Sequence, residues 1–242
     1  PTNDKSPRDV YEGQWRCGMR WGQGECAYAN SGVYKGVWEL DLRHGKGNHT
    51  FPTGDKDGGK WPETTYDGQW EEDRRRGDGV CAYDSGDGYE GQWIDDERNG
   101  KGVCKFANGD VYDGLWHCDK LNARTVFGPC GQYNGDRWPL LKTSAWNYPS
   151  DTGRMVYANG DSYCGGWCGN LRHGKGVSSY VEGDIRGYDG DWALDKRVGL
   201  ATSIDYRNDD EYHGDCGPDG ERHGVGKQKY FNGDEYQGEW AE

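Results

Sequence analysis

The chain has 242 residues, among them 42 glycines, 12 tryptophans and 17 tyrosines, and a formal net charge of −13. Glycine does not recur at every third residue and only 8 prolines are present, which excludes a collagen helix. No stretch approaches the length of apolar residues a membrane-spanning helix needs, sparse aliphatic residues exclude a large core, and the acidic balance excludes a general nucleic-acid binder, which needs clustered Lys and Arg.

Residues 1–10 read as a polar tail with no secretory hydrophobic segment. The first residue is Pro1, so the natural start is expected upstream or processed away. Nine cysteines cannot all pair within one chain, and the plain reading is free thiols in a reducing, cytoplasmic compartment.

From residue 11 a pattern Tyr-x-Gly-x-Trp recurs. It pairs Tyr11 with Trp15, Tyr34 with Trp38, Tyr66 with Trp70, Tyr89 with Trp93 and Tyr112 with Trp116. It returns as Tyr163 with Trp167, Tyr188 with Trp192 and Tyr236 with Trp240. A variant ends in Cys216 where Trp is expected, and a looser one, YNGDRW, starts at Tyr133. Tyr11 to Tyr34, Tyr66 to Tyr89 and Tyr89 to Tyr112 are each 23 residues. A second signature, Gly-x-Gly-x-x-x-aromatic, follows each regular Trp by seven residues, as in GQGECAY and GKGVCKF. Turns such as ANGD then lead to the next Tyr.

Tyr, Gly and Trp at i, i+2 and i+4 share one face of a β-strand, because the side-chain period is two. The second glycine, the residue two later and the aromatic share one face of the next strand. The pair predicts a hairpin, with Asn-Gly-Asp suited to turns between hairpins. The strand glycines predict close approach by a Tyr or Trp ring from the neighbouring repeat. Each hairpin is marginal alone, and stacking builds one aromatic–glycine seam.

Regular repeats are thus expected over 11–116 with an insertion at 55–65. A degenerate stretch covers 117–156, and further repeats over 157–242 end in a half repeat, whose strand either caps the sheet edge or leads into a longer protein. In the degenerate stretch, Trp138, Leu140, Leu141, Trp146 and Tyr148 form the best single candidate for a partner contact. The alternative is that they fold back and patch the local core.

Repetition disposes of the motifs that look chemical. Gly-x-Gly with a nearby Lys lacks full dinucleotide or phosphate-loop spacing. His44, His173 and His223 precede the same repeat glycine and read as turn residues. Cys26, Cys81 and Cys104 share one position and read as small core hydrophobes. Cys164 and Cys168 have an unusual spacing, but no second ligand pair completes a zinc site. No cofactor, metal or catalytic constellation is expected.

The two recurring signatures, YEGQW and NGKGVCKFANGD, are similar to the MORN repeat (membrane occupation and recognition nexus). Nine repeats and an opening half cover about Tyr11 to Trp240. The resemblance implies an all-β fold, a single array of stacked β-hairpins forming an elongated, twisted, half-pipe-like meander with an aromatic-lined concave binding surface. It also implies a non-catalytic structural scaffold, since members are mostly cytoskeletal, ciliary and flagellar components, junction proteins, or accessory domains of enzymes. The first expectation is therefore a component of an axonemal or other microtubule-based assembly, located in the cytoskeleton, cilium or flagellum. Its expected partners are other proteins of that assembly, reached in part through edge or end-to-end contacts.

Two alternatives stand beside it. A phosphoinositide or membrane-surface adaptor would use basic hairpin tips at Arg43, Lys46, Arg74, Arg75, Arg76, Arg172, Lys175, Arg222 and Lys227. An accessory subunit or regulatory segment of an enzyme complex would explain an array ending in mid-repeat.

Overall fold

The computed structural model describes residues 8–52, 63–121, 152–217 and 220–241. The described residues form strands and turns without a helix, in an open antiparallel meander of hairpins. The chain divides into two compact units, one of 1–109 with 117–119 and one of 110–116 with 120–242.

The first unit holds β1 (Val10–Arg16), β2 (Met19–Ala27), β3 (Val33–Glu39), β4 (Leu42–Thr50), β5 (Glu63–Glu71), β6 (Arg74–Tyr83), β7 (Gly88–Ile94) and β8 (Glu97–Lys105). Each pairs antiparallel with the next. Residues 53–62 lie outside the described residues, and β5 begins at Glu63, inside the stretch 55–65 expected as an insertion.

The second unit takes up β9 (Val111–His117, ending beyond the boundary), β10 (Lys120–Leu121), β11 (Gly153–Val156), β12 (Ser162–Cys168) and β13 (Leu171–Ser179). It continues through β14 (Ile185–Ala193), β15 (Lys196–Tyr206), β16 (Glu211–Cys216), β17 (Arg222–Lys229) and β18 (Glu235–Trp240). Strand β11 pairs with β9 on one side and β12 on the other, with Met155 opposite both Tyr112 and Tyr163. The repeat that opens at Tyr112 is therefore completed by Gly153 and Met155. Eight of the nine expected repeats are described; the one at Tyr133 falls outside.

The two-residue hairpin turns among the described residues have positive φ at both positions, as at Leu40 (51°) and Asp41 (68°) or Asp95 (49°) and Asp96 (69°). That is the twist-matched geometry of a tight hairpin. Beyond the turn the register slips, and the second strand carries extra residues around the first glycine of its Gly-x-Gly pair. Gly100 sits in this bulge at φ 86°, where a side chain would strain the backbone.

The second glycine has a different reason. Gly102 lies opposite Gly91, and Tyr89 of the same hairpin lies flat over both. A Cβ at Gly102 would stand 2.3 Å from the Tyr89 hydroxyl. The expectation that a neighbouring repeat supplies this ring is thereby corrected. The tyrosine folds back over its own hairpin because its hydroxyl donates to the bulge carbonyl three residues on, as Tyr89 does to Gln92 at 3.0 Å. The neighbour contributes the next layer. Trp93 packs edge-on to Tyr66 of the preceding repeat at 5.4 Å and donates its indole N–H to the Gly79 carbonyl at 3.3 Å.

Candidate functional site

The seam aromatics sit as the two-residue period places them, but inside. Tyr34, Trp38, Tyr66, Trp70, Tyr89, Trp93, Tyr112, Trp116, Tyr163, Trp167, Tyr188 and Trp192 are all buried. They are core rather than the open aromatic binding surface that the resemblance implied. Trp15 and Tyr236 are the exposed members, at 59% and 43%, with Tyr11 and Trp240 half-buried. Each unit's seam is a run of T-shaped ring pairs, such as Tyr34 with Trp38 at 5.0 Å and with Trp70 at 5.5 Å.

Over this seam lies a second ladder. The guanidinium carbon of Arg43 stands 4.2 Å from the centroid of Trp70 in the following repeat. Its Nε donates to Oδ1 of Asp73 at 2.9 Å, while its backbone N–H donates to the same oxygen at 2.8 Å. The unit recurs with Arg20, Trp38 and Asp41, with Arg75, Trp93 and Asp96, and with Arg172, Trp192 and Asp195. The arginine stacks as a cation over the indole, and its planar fork meets both the carboxylate and the turn carbonyl.

This ladder escaped the sequence reading, although its signal was present: Trp-x-x-Asp-x-Arg recurs in WELDLR, WEEDRR, WIDDER and WALDKR. It also corrects the basic hairpin tips. Arg43, Arg75, Arg172 and Arg222 turn over tryptophan rings, and Lys175 and Lys227 pair with Asp191 and Glu235. Arg74 and Arg76 point outward but are paired with Asp95 and Glu71. His44, His173 and His223 lie in strands just before the bulge glycine rather than in turns.

One position on the strand after the turn varies from repeat to repeat, and in several repeats it meets the arginine. It lies opposite the seam tyrosine and holds Cys26, His49, Cys81, Cys104, Met155, Ser178, Ile204 and Gln228. Cys26, Cys81 and Cys104 are buried, as expected of small hydrophobes. Burial pushes the Cys81 thiol up to about 12 and Cys104 up to about 11. His49 accepts from Arg43 Nη1 at 3.3 Å and packs against Tyr28, Phe51 and Trp70. Burial, with Arg43 and Arg75 nearby, lowers its pKa to about 4.

Two cavities open beside these positions. One, of about 320 Å³ in the first unit, is lined by Tyr28, His49 and Phe51 between Arg20 and Arg43. The other, of about 660 Å³ in the second unit, is lined by Tyr157, Arg172, Ser178 and Tyr180 with Asp110 and Asp161.

Trp138, Leu140, Leu141, Trp146 and Tyr148, expected as a partner contact, lie outside the described residues. Cys168 is disulfide-bonded, which corrects the expectation of free thiols throughout and removes it from a site with Cys164. Among the described residues no cluster of three or more His, Cys, Asp or Glu is placed to hold a metal ion.

Fold and ladder together define the class: a repeat protein built from one hairpin unit whose aromatic and arginine side chains join each repeat to the next. The MORN repeat pattern matches residues 11–33, 34–56, 66–88, 89–111, 163–185, 188–204 and 219–235. The chain belongs to the MORN repeat family. Over 80 residues it is 38% identical to MORN repeat-containing protein 3 of Xenopus laevis, covering 31% of this chain and 33% of that protein. The chain thus spans about a third of the length of that relative. Among solved structures, the TCP10 domain of Danio rerio CPAP in complex with a peptide of Danio rerio STIL is similar at TM-score 0.35 and 8% identity, covering 90% of this chain and 84% of that one. The same domain alone gives TM-score 0.36 and 10% identity, covering 90% of each chain.

The chain is a repeat-based interaction module. MORN repeat proteins are generally non-enzymatic.

Proposed function

We propose that this protein is a non-catalytic scaffold, a component of a microtubule-based assembly such as an axoneme. The observation that carries the scaffold reading is the fate of the repeated functional groups. The groups most able to do chemistry or grip a small ligand are already engaged: seam tryptophans and arginines are bound to the neighbouring repeat, and the seam tyrosine hydroxyls to their own hairpin. What remains for other molecules is the surface each unit presents, together with the places where one repeat differs from the next. The axonemal assignment rests on the family's membership rather than on any one residue.

Affinity purification from the native source, read by mass spectrometry, tests it. Tubulin-associated and axonemal proteins are the expected co-purifying set. A catalytic subunit in stoichiometric amount would overturn the reading in favour of an accessory enzyme subunit, and recovery of the protein on anionic vesicles without protein partners would favour a membrane adaptor.

A further inference from the structure

The second unit's cavity opens beside Arg172, where the facing side chain is too short to meet the guanidinium. Arg20, Arg43 and Arg75 spend Nε and Nη2 on the next turn's Asp and turn Nη1 toward an acceptor on their own side, and Arg222 turns its Nη1 the same way. Arg43 Nη1 meets His49 Nδ1 at 3.3 Å, Arg222 Nη1 donates to Gln228 Oε1 at 3.1 Å, Arg20 Nη1 reaches Cys26 Sγ at 3.8 Å, and Arg75 Nη1 is held by Glu63. At Arg172 the equivalent residue is Ser178. A serine side chain is too short to span the gap that glutamine fills. Arg172 bonds Asp195 through Nε and Nη2, and its Nη1 makes no hydrogen bond. Ser178 is 2% exposed and its Oγ has no partner. A buried polar group left unpaired costs about 1–3 kcal/mol, so Ser178 Oγ favours a ligand that completes it, and Arg172 Nη1 beside the cavity can donate to the same ligand.

We infer that this cavity is a recognition pocket for an uncharged amide side chain, a glutamine or asparagine, carried on a bound protein segment. This deepens the scaffold reading and rests on it. Gln228 supplies the template inside the same unit, since its Oε1 accepts from Arg222 in the way the incoming amide would accept from Arg172. An amide also donates, which suits the Ser178 hydroxyl. The walls are the rings of Tyr157 and Tyr180, which take the flat amide and its aliphatic stem. Charge excludes the obvious rival. Asp195 neutralises Arg172, and Asp110 and Asp161 also line the cavity, so a carboxylate would enter a negative field. Asp110 Oδ1 and Asp161 Oδ1 accept the Ala158 and Val181 backbone N–H groups, which fixes both charges at the rim.

The test is nitrogen–proton correlation NMR on the chain, titrated with capped alanine pentapeptides whose central residue is glutamine, glutamate or norleucine. The glutamine peptide is expected to give saturable shifts at the amides of Tyr157, Ser178 and Tyr180. The other two should bind at least about tenfold more weakly, the loss expected for one hydrogen bond to a charged group. Ser178→Gln builds the template into the chain, and should abolish those shifts while leaving the thermal midpoint equal or higher. No saturable shift, equal binding of the norleucine peptide, or retained binding in folded Ser178→Gln would each overturn the pocket. Because the probes are synthetic, the result stands apart from whether purification recovers axonemal partners.

Discussion

Arg43 of one hairpin is bound by Asp73 of the next through three donors: its backbone N–H and Nε meet Oδ1 at 2.8 and 2.9 Å, and Nη2 meets the Asp73 carbonyl at 3.0 Å. The Asp73 N–H returns a bond to the Arg43 carbonyl at 3.1 Å. The ladder thus joins charge, turn and ring in one contact. Where the arginine is missing the acid goes with it. Leu121 takes the arginine position, and its backbone N–H is received at 2.7 Å by Asn170.

That substitution sets the first expectation. Asp73→Asn keeps an oxygen acceptor and a residue at ease at φ 68°, and loses only charge. It should cost about 1 kcal/mol, because Asp73 is partly exposed and water screens the lost pairing. Asp73→Ala also removes the acceptor and strains the turn, and should cost about 2–3 kcal/mol. Urea unfolding of the two variants checks the order; equal losses would show that Oδ1 contributes nothing.

The paired glycines give the second. A Cβ at Gly91 would stand 2.4 Å from the Gly102 Cα and 2.6 Å from the Lys101 carbonyl oxygen, both backbone atoms that cannot swing aside. Gly91→Ala is expected to cost about 3 kcal/mol or more, at the top of the range for overpacking. Gly88, three residues earlier on the same strand, has its nearest neighbour at 3.9 Å, so Gly88→Ala should stay within about 0.5 kcal/mol. A thermal midpoint lowered equally by both would mean that strand glycine serves only flexibility.

The period made the hairpins and their buried face legible, because Tyr89, Gly91 and Trp93 must share a side in any strand. It could not say whose ring covers the glycines. That depends on the register slip after Gly91, which aims the Gln92 carbonyl at the Tyr89 hydroxyl, and a bulge leaves no mark in a two-residue alternation. The arginine ladder was missed for a related reason. Arg43 reads as a surface cation in a polar tip, and only stacking brings Trp70 beneath it. The cavity lies further still from sequence reading, since a serine two residues after a glycine acquires meaning only when Gln228 and His49 are seen beside their own arginines.

Thiol reactivity provides a third expectation. Cys26, Cys81 and Cys104 are buried and their thiols are held up by desolvation, Cys81 to about 12 and Cys104 to about 11. The thiolate is the reactive form, so these residues should resist iodoacetamide at pH 8. Cys17, exposed in a hairpin turn, should be carboxamidomethylated ahead of these buried thiols. Peptide mass spectrometry of briefly labelled native protein reads the order. Labelling of Cys81 ahead of Cys17 would mean that the seam opens faster than a packed core allows.

His49 gives the stability a defined dependence on pH. Its pKa in the fold is lowered to about 4 by burial first and then by Arg43 and Arg75. In the unfolded chain it returns to the ordinary value near 6.5. Above about pH 6.5 both states are neutral, and its full contribution to stability is present. As the pH falls from there toward 4, the unfolded chain takes up a proton that the fold refuses, and stability is lost at up to about 1.4 kcal/mol per pH unit. The total is about 3 kcal/mol by pH 4, below which both states bind the proton and the loss from this group stops. The same proton would occupy Nδ1, the atom that accepts from Arg43. His49→Gln places at this position the residue that already serves Arg222, and cannot titrate. Carboxylates also protonate in this range, so the measured quantity is the difference between the two proteins in urea unfolding at pH 7, 6, 5 and 4. The difference between the two proteins is expected to change by about 3 kcal/mol as the pH falls from 7 to 4, the native chain losing that much more than the variant. Parallel curves would show that His49 takes up its proton as readily in the fold as in the unfolded chain, and that its ring is not held as the acceptor of Arg43.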